Sequence, residues 1–480
     1  MSAILGMLSA VAFGADPGPV KVKTEANLWA AHDQTTEFPV DAEGTMGGQE
    51  AHIEMRSILG LKLTNKEVEV EAEIGGLSGQ IWGEHWTIPG SIDQRNRHQN
   101  GLAALSPRTL KIQANLPAGQ LEMGLMTSHW GLGMLANDGE HNPYFGLPEF
   151  GDRVIRARFT TKPGEKSPWH FTGAYDRVVE DELTIDARNQ WTHQGILSAL
   201  WMKGNDRLGV YGVSRQQDEL VSGRTTRAGV LDIFADTHTP IADGVKLRLA
   251  FEAAGISGKT NRSTTYESPR RIHIRSGGAT ALGMVSIMDD RLKFGASSGF
   301  ASGDGDPTDD TSHDFTFDRN FGVGMILFDE IQGGIDAASY NLVTNPEYSG
   351  QAPDGVEAMV HEGAFRRASY IQPRIQINPV PWVVFRTGVL FASATAPIAH
   401  PFYTVRNGGT PVNQLKEETD GYRLGTELDW SLTLKTKAPK THPLHRTRLS
   451  IQGGHAYLDA NLGGSDTERV DRFIVMFQAL

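Results

Sequence analysis

The sequence contains no cysteine. That absence excludes disulfide bonds, thiolate metal sites and a cysteine nucleophile. Basic residues are also in the minority, because 45 Lys and Arg stand against 57 Asp and Glu and give a net charge of −12. A general nucleic-acid binder should carry a basic face, so this balance predicts no nucleic-acid partner. At 21% charged and 39% hydrophobic residues, the chain is neither disordered nor a bundle of membrane helices.

No apolar run is long enough to cross a bilayer as a helix, which needs about 20 residues. The short run from Ala3 to Phe13 is uncharged, and Ala12 and Gly14 place small residues where a signal peptidase requires them. We therefore predict a signal peptide over residues 1–14, although no Lys or Arg precedes Lys21. The alternative is a buried N-terminal helix. Export without cysteine fits a bacterial envelope protein, in which a membrane role would require strands.

From residue 20 onward the dominant pattern is alternation with a period of two, which is typical of half-buried strands. In residues 67–74, for example, four apolar side chains alternate with four glutamates. The candidate strands are often longer than the usual 5 or 6 residues of soluble strands. Eighteen are predicted, within a range of 16 to 20, at 20–29, 51–64, 67–82, 108–118, 119–127, 153–161, 168–180, 192–204, 206–215, 225–236, 243–258, 273–289, 291–301, 363–378, 382–396, 419–436, 443–459 and 467–479.

The connections between these strands alternate between tight turns and long loops rich in Gly, Pro and Asp. Short periplasmic turns and long outer loops are the layout of an outer-membrane barrel. Open sheet edges are not tolerated in hydrocarbon, so residues 15–480 are expected to close into a single antiparallel β-barrel. Aromatic residues near strand ends would form the girdles at the two interfaces, namely Trp29, Trp82, Trp86, Trp169, Trp191, Trp382 and Tyr422.

Two long loops are candidates for folding into or over the lumen: residues 128–152 and 302–362. Residues 321–330 are ambiguous, since as a strand they would require another strand within 331–362 and raise the count to 20. We prefer one long excursion over 302–362. The first loop follows strand 5 and is rich in Gly, Trp and Met, which suits either a constriction of the lumen or an outer loop packed on its neighbours. Its candidate constriction residues are His129, Trp130, Asn137 and Asp138.

The inward-facing positions of the predicted strands carry many charges. A barrel of 16 to 18 strands leaves an aqueous channel. The candidate pore-lining residues are an acidic ladder and a basic side, consisting of Glu69, Glu71, Glu73, Arg156, Arg158, Arg374, Arg386, Arg423, Arg446 and Arg448. Two interpretations remain open: the charges pair across strands and merely solvate the lumen, or the arginines favour anionic solutes.

Two local motifs suggest other chemistry. The aspartates of the loop after residue 301 could bind Ca²⁺ through oxygen ligands, or could simply form a solvated acidic loop; the candidates are Asp304, Asp306, Asp309 and Asp310. No other cofactor is expected. Residues 295–299 match G-x-S-x-G around Ser297, but a hydrolase nucleophile needs a strand–turn–helix context and this motif lies within a predicted strand.

Two segments carry a family resemblance. Residues 128–139 with Phe150-Gly151-Asp152-Arg153-Val154 resemble a motif of a poorly characterised family of outer-membrane β-barrels in myxobacteria and relatives. The run Phe300 to Pro307, with residues 317–321, is similar to loops of that family and of alginate-export-type porin barrels. The resemblance implies a large monomeric outer-membrane barrel, without a settled substrate or catalytic residues.

The sequence thus predicts a bacterial outer-membrane channel in contact with lipid, through which small hydrophilic solutes diffuse passively, with anions favoured if the lumen arginines are unpaired. It is not expected to be an enzyme. One alternative is a structural or adhesion barrel whose loops dock envelope protein partners. The other is a barrel hydrolase that would depend on Ser297. The oligomeric state and the solute are left open by the sequence.

Overall fold

The computed structural model describes residues 19–83, 105–148, 151–181, 184–185, 190–265, 267–347, 361, 363–419, 421–436, 446–463 and 469–479. The predicted signal peptide at 1–14 lies outside the described residues. The described chain contains eighteen long strands, which are β1 Lys21–Pro39, β2 Met46–Thr64, β3 Val68–Gly83, β4 Ser106–Leu116, β5 Gly119–Thr127, β6 Arg153–Thr161, β7 Trp169–Asp181, β8 Gln190–Lys203, β9 Asp206–Glu219, β10 Thr225–Ala242, β11 Val245–Thr260, β12 Ile272–Ile287, β13 Leu292–Ala301, β14 Ala368–Val380, β15 Val383–Ala394, β16 Arg423–Lys435, β17 Thr447–Leu458 and β18 Arg469–Ala479.

Every strand pairs antiparallel with the next, and the first strand also pairs with the last. The register of this closing seam runs from Leu28 opposite Ala479 to Thr35 opposite Arg472. A closed antiparallel barrel of eighteen strands, as the alternation predicts, is therefore confirmed. Two further pairings involve only two residues each: Thr184–Ile185 beside β7, and Thr311–Ser312, which runs parallel to the start of β12.

Short connections, such as 117–118, 204–205 and 243–244, lie at one end of the barrel. The first strand begins and the last strand ends at this same end. The long connections 128–152, 302–367 and 395–422 lie at the other end. Several strands continue further toward the long loops than predicted, since β1 ends at Pro39 rather than at residue 29 and β2 begins at Met46 rather than at residue 51. Backbone pairing continues there after the apolar alternation ends, and the prediction followed only the alternation.

The outer surface of the barrel is an apolar band. Leu197 is 74% exposed, Leu59 64% and Leu231 61%, and each lies between two less exposed neighbours that face inward. A soluble monomer does not expose so large an apolar area, whereas lipid covers one. Of the predicted girdle residues, Trp82, Trp169, Trp191 and Tyr422 are exposed as expected.

Trp29 is a correction to the predicted aromatic girdle. Its side chain is 6% exposed and belongs to the buried core inside the barrel. Because both Leu28 and Trp29 are apolar, the alternation pattern left the direction of this side chain undetermined. Trp86 lies outside the described residues.

The core of the molecule lies inside the barrel and is built largely from one segment, residues 315–344, which we call the plug segment. Phe315, Phe317 and Met325 are fully buried. Leu327–Gln332 form a π-helical turn and Gly333–Thr344 the helix α1, so residues 321–330 contribute no strand. Two single-turn helices follow, α2 Tyr403–Arg406 and α3 Ala460–Gly463.

No helix in the described part of the chain is long and apolar enough to cross a membrane.

Candidate functional site

Residues 128–148, which we call the crossing loop, span the lumen from one wall to the other. On one side the loop reaches β9 and β10 through Trp130 and β11 through Leu132. On the other side Gly146 exchanges two hydrogen bonds of 3.0 Å with the Gln452 side chain on β17. Asn142 also donates to Gln478 of β18 at 3.3 Å. The loop therefore divides the lumen at the level where these strands face each other.

Trp130 is the main contact of the crossing loop with the first wall. Its ring stacks on Tyr211 with centroids 4.8 Å apart, and its Nε1–H donates to Asp232 Oδ1 at 2.7 Å. A neighbouring carboxylate, Glu252, accepts from the backbone N–H of Leu132. Both acids are fully buried and face inward. The sequence shows them only as charges on strands, so nothing in it marked them as partners of a loop a hundred residues away.

The other predicted constriction residues lie on the same loop. The Asn137 N–H donates to Asp318 Oδ2 at 3.0 Å, which joins the crossing loop to the plug segment. The carbonyl of Asp138 accepts from Arg108 Nη2 of β4 at 3.3 Å. His129 lies 3.5 Å from the Asp138 carboxylate. The structure therefore brings His129, Trp130, Asn137 and Asp138 together inside the lumen.

The plug segment is held by one carboxylate on β16 that sequence reasoning missed. Glu427 is fully buried and accepts hydrogen bonds from three consecutive backbone N–H groups, those of Met325, Ile326 and Leu327. A carboxylate with several amide donors is a strong, charge-assisted arrangement. Gly324 has φ +71°, and a Cβ there would lie 2.6 Å from Glu427 Oε1, so glycine is required for this close approach.

The predicted acidic ladder on β3 faces basic residues on its two neighbouring strands. Lys62 contacts Glu69, and Lys111 lies 3.2 Å from Glu71, while Glu73 accepts from the Thr109 hydroxyl at 2.8 Å. These glutamates therefore form cross-strand pairs rather than an unopposed acidic wall.

Two of the predicted arginines are also neutralised. Arg158 pairs with Glu122 at 2.5 Å, and Arg156 binds both oxygens of the buried Asp176 at 2.7 Å. On this side of the barrel the charged side chains pair across strands, which agrees with the first of the two interpretations given above.

The opposite wall is different. Arg386 on β15, Lys435 on β16 and Arg448 on β17 lie within electrostatic range of one another near the short-turn end. We call these three residues the inner basic cluster. None of them forms an ion pair with a carboxylate among the described residues. Their charge therefore remains available to a solute.

Above this cluster the crossing loop adds an aromatic contact. The Arg374 and Arg386 guanidinium groups lie 4.6 and 5.0 Å from the centroid of the Tyr144 ring. The other two predicted arginines do not belong to this wall. Arg423 has a 76% exposed side chain at the outer end of β16, 3.8 Å from Asp459. Arg446 is exposed and precedes β17 at the short-turn end.

Two open cavities occupy the outer half of the lumen. One lies among the outer loops and α1, and the other lies between the crossing loop and strands β6 to β12. They share lining residues and are therefore contiguous, the shared set being Ser263, Ile272, Ser312, Asp314, His361 and Arg366.

The outer cavity contains ionisable groups with perturbed acidities. Burial, with a further contribution from the neighbouring Asp314 carboxylate, raises the pKa of Asp304 to about 6. Burial, reinforced by the Arg366 guanidinium, lowers the pKa of His361 to about 3. Asp314 itself contacts Arg366 at 2.5 Å and Arg367 at 3.0 Å. The junction of the two cavities is thus polar and contains both signs of charge.

The four candidate calcium ligands mostly accept hydrogen bonds from their own loop. Asp306 Oδ1 accepts from the Thr308 N–H at 3.0 Å, Asp309 Oδ1 from the Thr311 N–H at 2.7 Å, and Asp310 Oδ1 from the Thr311 hydroxyl at 2.9 Å. In the described ranges, three metal-ligating side chains converge elsewhere, at His129, Asp138 and His141. Calcium binding by the aspartate loop stays a prediction.

Ser297 lies in the middle of β13, paired with Leu282 and Gln372 on the adjacent strands. Its Oγ is buried without a hydrogen-bond partner among the described residues. The strand continues to Ala301, so the turn and helix that a nucleophile elbow requires do not follow it.

No protein-family model matches the sequence, and no curated protein matches it. Solved structures do match the fold. OccK8 (OprE) of Pseudomonas aeruginosa has a TM-score of 0.52 at 11% identity, with 95% of this chain and 98% of that chain covered. OpdL of the same species gives 0.51 at 9% identity over 95% and 98%, and OccK2 (OpdF) gives 0.50 at 10% identity over 95% and 97%. These neighbours are outer-membrane porins, and the fold of this chain is that of their barrels.

Proposed function

We propose that the protein is an outer-membrane channel through which small hydrophilic solutes, preferentially anions, diffuse passively. Support for the location comes from the apolar outer band and from the fold shared with porin barrels. Support for a channel comes from the two contiguous cavities on the outer side of the crossing loop. The observation that carries the preference for anions is the inner basic cluster, whose three cations have no carboxylate partner in the described chain.

The two lumen walls differ in what they offer a passing solute. On β2 to β7 the charges are matched in pairs such as Arg156 with Asp176, so their fields largely cancel beyond a few ångströms. On β15 to β17 the cations reinforce one another, and rings of Arg and Lys favour anions. A solute anion would therefore be attracted along one wall of the inner mouth.

Reconstitution into a planar bilayer under a KCl gradient tests this proposal, because the sign of the reversal potential reports charge selectivity. We expect anion selectivity that is lost in Arg386→Gln/Arg448→Gln. The control is Arg423→Gln, which removes a positive charge outside the cluster and should leave the selectivity unchanged.

Cation selectivity in the native protein, or equal effects of the double variant and the control, would contradict the anion preference. A barrel that inserts but stays electrically silent would contradict the channel itself. That outcome would favour an anchoring role with envelope protein partners, and capture of stoichiometric partners from detergent-solubilised membranes would then be decisive. The finer resemblance of residues 128–154 and 300–321 to myxobacterial and alginate-export-type barrels stays a prediction.

A further inference from the structure

The crossing loop brings together three side chains of the types that bind metal ions. His129, Asp138 and His141 place one ligand atom each within 4.8 Å of one another. Asp138 is 8% exposed, whereas His141 is open to solvent. Two imidazoles and one carboxylate are the ligand types that first-row transition metals prefer.

The distances between these atoms suit a shared ion better than direct hydrogen bonds. The Nδ1 atoms of His129 and His141 both lie 3.5 Å from Asp138 Oδ1. That separation exceeds the usual N–H···O range of 2.7–3.2 Å. In a tetrahedral site with metal–ligand bonds of about 2.1 Å, ligand atoms lie about 3.4 Å apart. Small side-chain rotations would therefore place all three atoms on one ion.

The loop backbone holds the ligands in place before any ion is bound. The Trp130 N–H donates to the Ala136 carbonyl at 3.1 Å, which brings the chain on either side of this turn together and sets His129 beside Asp138. Gly139 has φ +66°, a left-handed conformation that turns the chain between Asp138 and His141.

Two further hydrogen bonds orient the Asp138 carboxylate and the neighbouring Asn137 side chain. The Glu140 N–H donates to Asp138 Oδ1 at 3.0 Å, and the Gly139 N–H donates to Asn137 Oδ1 at the same distance. Outer contacts of this kind commonly orient metal ligands. The ligand set is therefore preorganised on a loop that is itself fixed to both walls of the barrel.

The surrounding charge also suits a cation. The Glu140 carboxylate lies within electrostatic range of Asp138, and the Asp318 carboxylate within range of His129. Arg108 donates to the carbonyl oxygen of Asp138. His141 and Gly139 line a small cavity with His52 and Glu54, which gives an ion access to solvent and leaves coordination positions open.

We propose that His129, Asp138 and His141 form a binding site for a divalent transition-metal ion of the Zn²⁺, Ni²⁺ or Cu²⁺ type. The ion joins the two limbs of the crossing loop where the loop turns from one wall toward the other. Its expected effect on the current, fewer fluctuations when Zn²⁺ is present, rests on the proposed function, whereas the binding itself does not. The sequence signal is the spacing His129-x8-Asp138-x2-His141, and only the first two of these residues are among the predicted constriction residues.

Titration of the full-length refolded protein with ZnCl₂ in a calorimeter tests the site. We expect one ion per chain, and a loss of affinity of about tenfold or more in His129→Gln and in His141→Gln. The matched control is His455→Gln, because His455 also contacts an aspartate, Asp471 at 2.7 Å, but in the described chain has no second histidine beside it. Binding by this variant should equal that of the native protein.

Cobalt gives a second measurement, because the intensity of its visible absorption reports how many ligands bind the ion and in what geometry. The band expected with Co²⁺ in the native protein should disappear in His129→Gln/His141→Gln, while a difference in gel mobility between unheated and heated samples, equal to that of the native protein, shows that the variant is folded. Absence of binding with Zn²⁺, Ni²⁺ and Cu²⁺ in the native protein would overturn the site. So would undiminished binding in the double variant, or an equal loss in the His455 control.

Discussion

The Arg472 guanidinium binds the Asp33 carboxylate with Nη2 2.6 Å from Oδ2, although the two residues lie on the last and the first strand of the barrel. Both side chains are buried, at 6% and 2% exposure. Arg472 also donates to the Met325 carbonyl at 2.7 Å and lies 3.1 Å from Glu330. One side chain thus joins the seam that closes the barrel to the plug segment inside it.

Replacing Arg472 by methionine should destabilise the barrel strongly. The substitution keeps much of the side-chain volume but leaves the buried Asp33 and Glu330 without their cation. Breaking a buried pair by removing one partner typically costs about 3–5 kcal/mol. Urea unfolding of the protein in lipid vesicles measures the loss, and Arg423→Met, at an exposed position, should cost less than about 1 kcal/mol. Similar losses of unfolding free energy in the two variants would show that the contact between Arg472 and Asp33 contributes no more than an exposed arginine does.

Replacing Glu427 by glutamine should release the plug segment. The side-chain nitrogen of glutamine is a donor and would face backbone N–H groups that are also donors. The negative charge that accepts three backbone hydrogen bonds would be lost as well. Hydrogen bonds to charged groups contribute about 1.5–3 kcal/mol each, so local opening should become measurably more frequent. Chymotrypsin should then cleave among Phe321, Leu327 and Phe328 in the intact barrel, and single-channel conductance should rise.

The control for that experiment is Glu25→Gln on β1. Glu25 is exposed and contacts Lys23 near the start of β1, at the short-turn end of the barrel and away from the plug segment. Its replacement removes the same charge and should not change cleavage of the plug segment. Unchanged protection of the plug segment in Glu427→Gln would mean that packing of its phenylalanines alone holds it.

The strands were predictable because the barrel wall has lipid on one side and polar lumen on the other. Leu59 and Leu61, for example, face outward while Lys62 faces Glu69 inside. The alternation predicts the wall well but ends where that contrast ends, which is why the upper part of β1 was missed. Trp29 shows the same limit, since an apolar lumen produces no alternation beside an apolar exterior.

The arrangement inside the lumen was predictable only in part. The Gly, Trp and Met content of residues 128–139 singled out the crossing loop, but its partners could not be found in the same way. Asp232 and Glu252 resemble any pore-lining acid in the sequence, and their contacts with Trp130 and Leu132 depend on where the loop folds. For the same reason the sequence could not separate paired arginines such as Arg156 from those that form no ion pair within the described residues, such as Arg448.

Substituting Gly209 by alanine should displace Trp130 from the wall. A Cβ at Gly209 would lie 2.8 Å from Trp130 Cη2 and 2.9 Å from Cζ2. Overpacking of this kind typically costs about 1–3 kcal/mol. We expect a matching loss in urea unfolding and larger fluctuations of the single-channel current as the crossing loop loosens. Gly212→Ala on the same strand is the control, because its added Cβ meets nothing closer than 3.9 Å. Equal behaviour of the two variants would contradict the role of this contact.

Acidification should open the outer loop around His400. Burial lowers the pKa of His400 to about 3 from its ordinary 6.5. Its Nδ1 accepts from the backbone N–H groups of Phe402 and Tyr403 at 3.3 and 3.2 Å, and its Nε2–H donates to Ser339 Oγ at 2.8 Å, so both nitrogens are committed in the neutral form. Protonation would place a hydrogen on Nδ1, which would then point at the N–H groups of Phe402 and Tyr403 and could no longer accept their hydrogen bonds.

The sign of the effect follows from which state binds the proton. Above pH 6.5 His400 is neutral in both the closed and the open loop, and its contribution to stability is complete. As the pH falls from about 6.5 toward 3, the open loop takes up a proton and the closed loop does not, so the free energy of opening falls by at most about 1.4 kcal/mol per pH unit. Hydrogen exchange at the Phe402 and Tyr403 amides, corrected for the intrinsic rate at each pH, measures this slope. His400→Gln should flatten it and His455→Gln should leave it unchanged, whereas a slope that persists in His400→Gln would assign the pH response to another group.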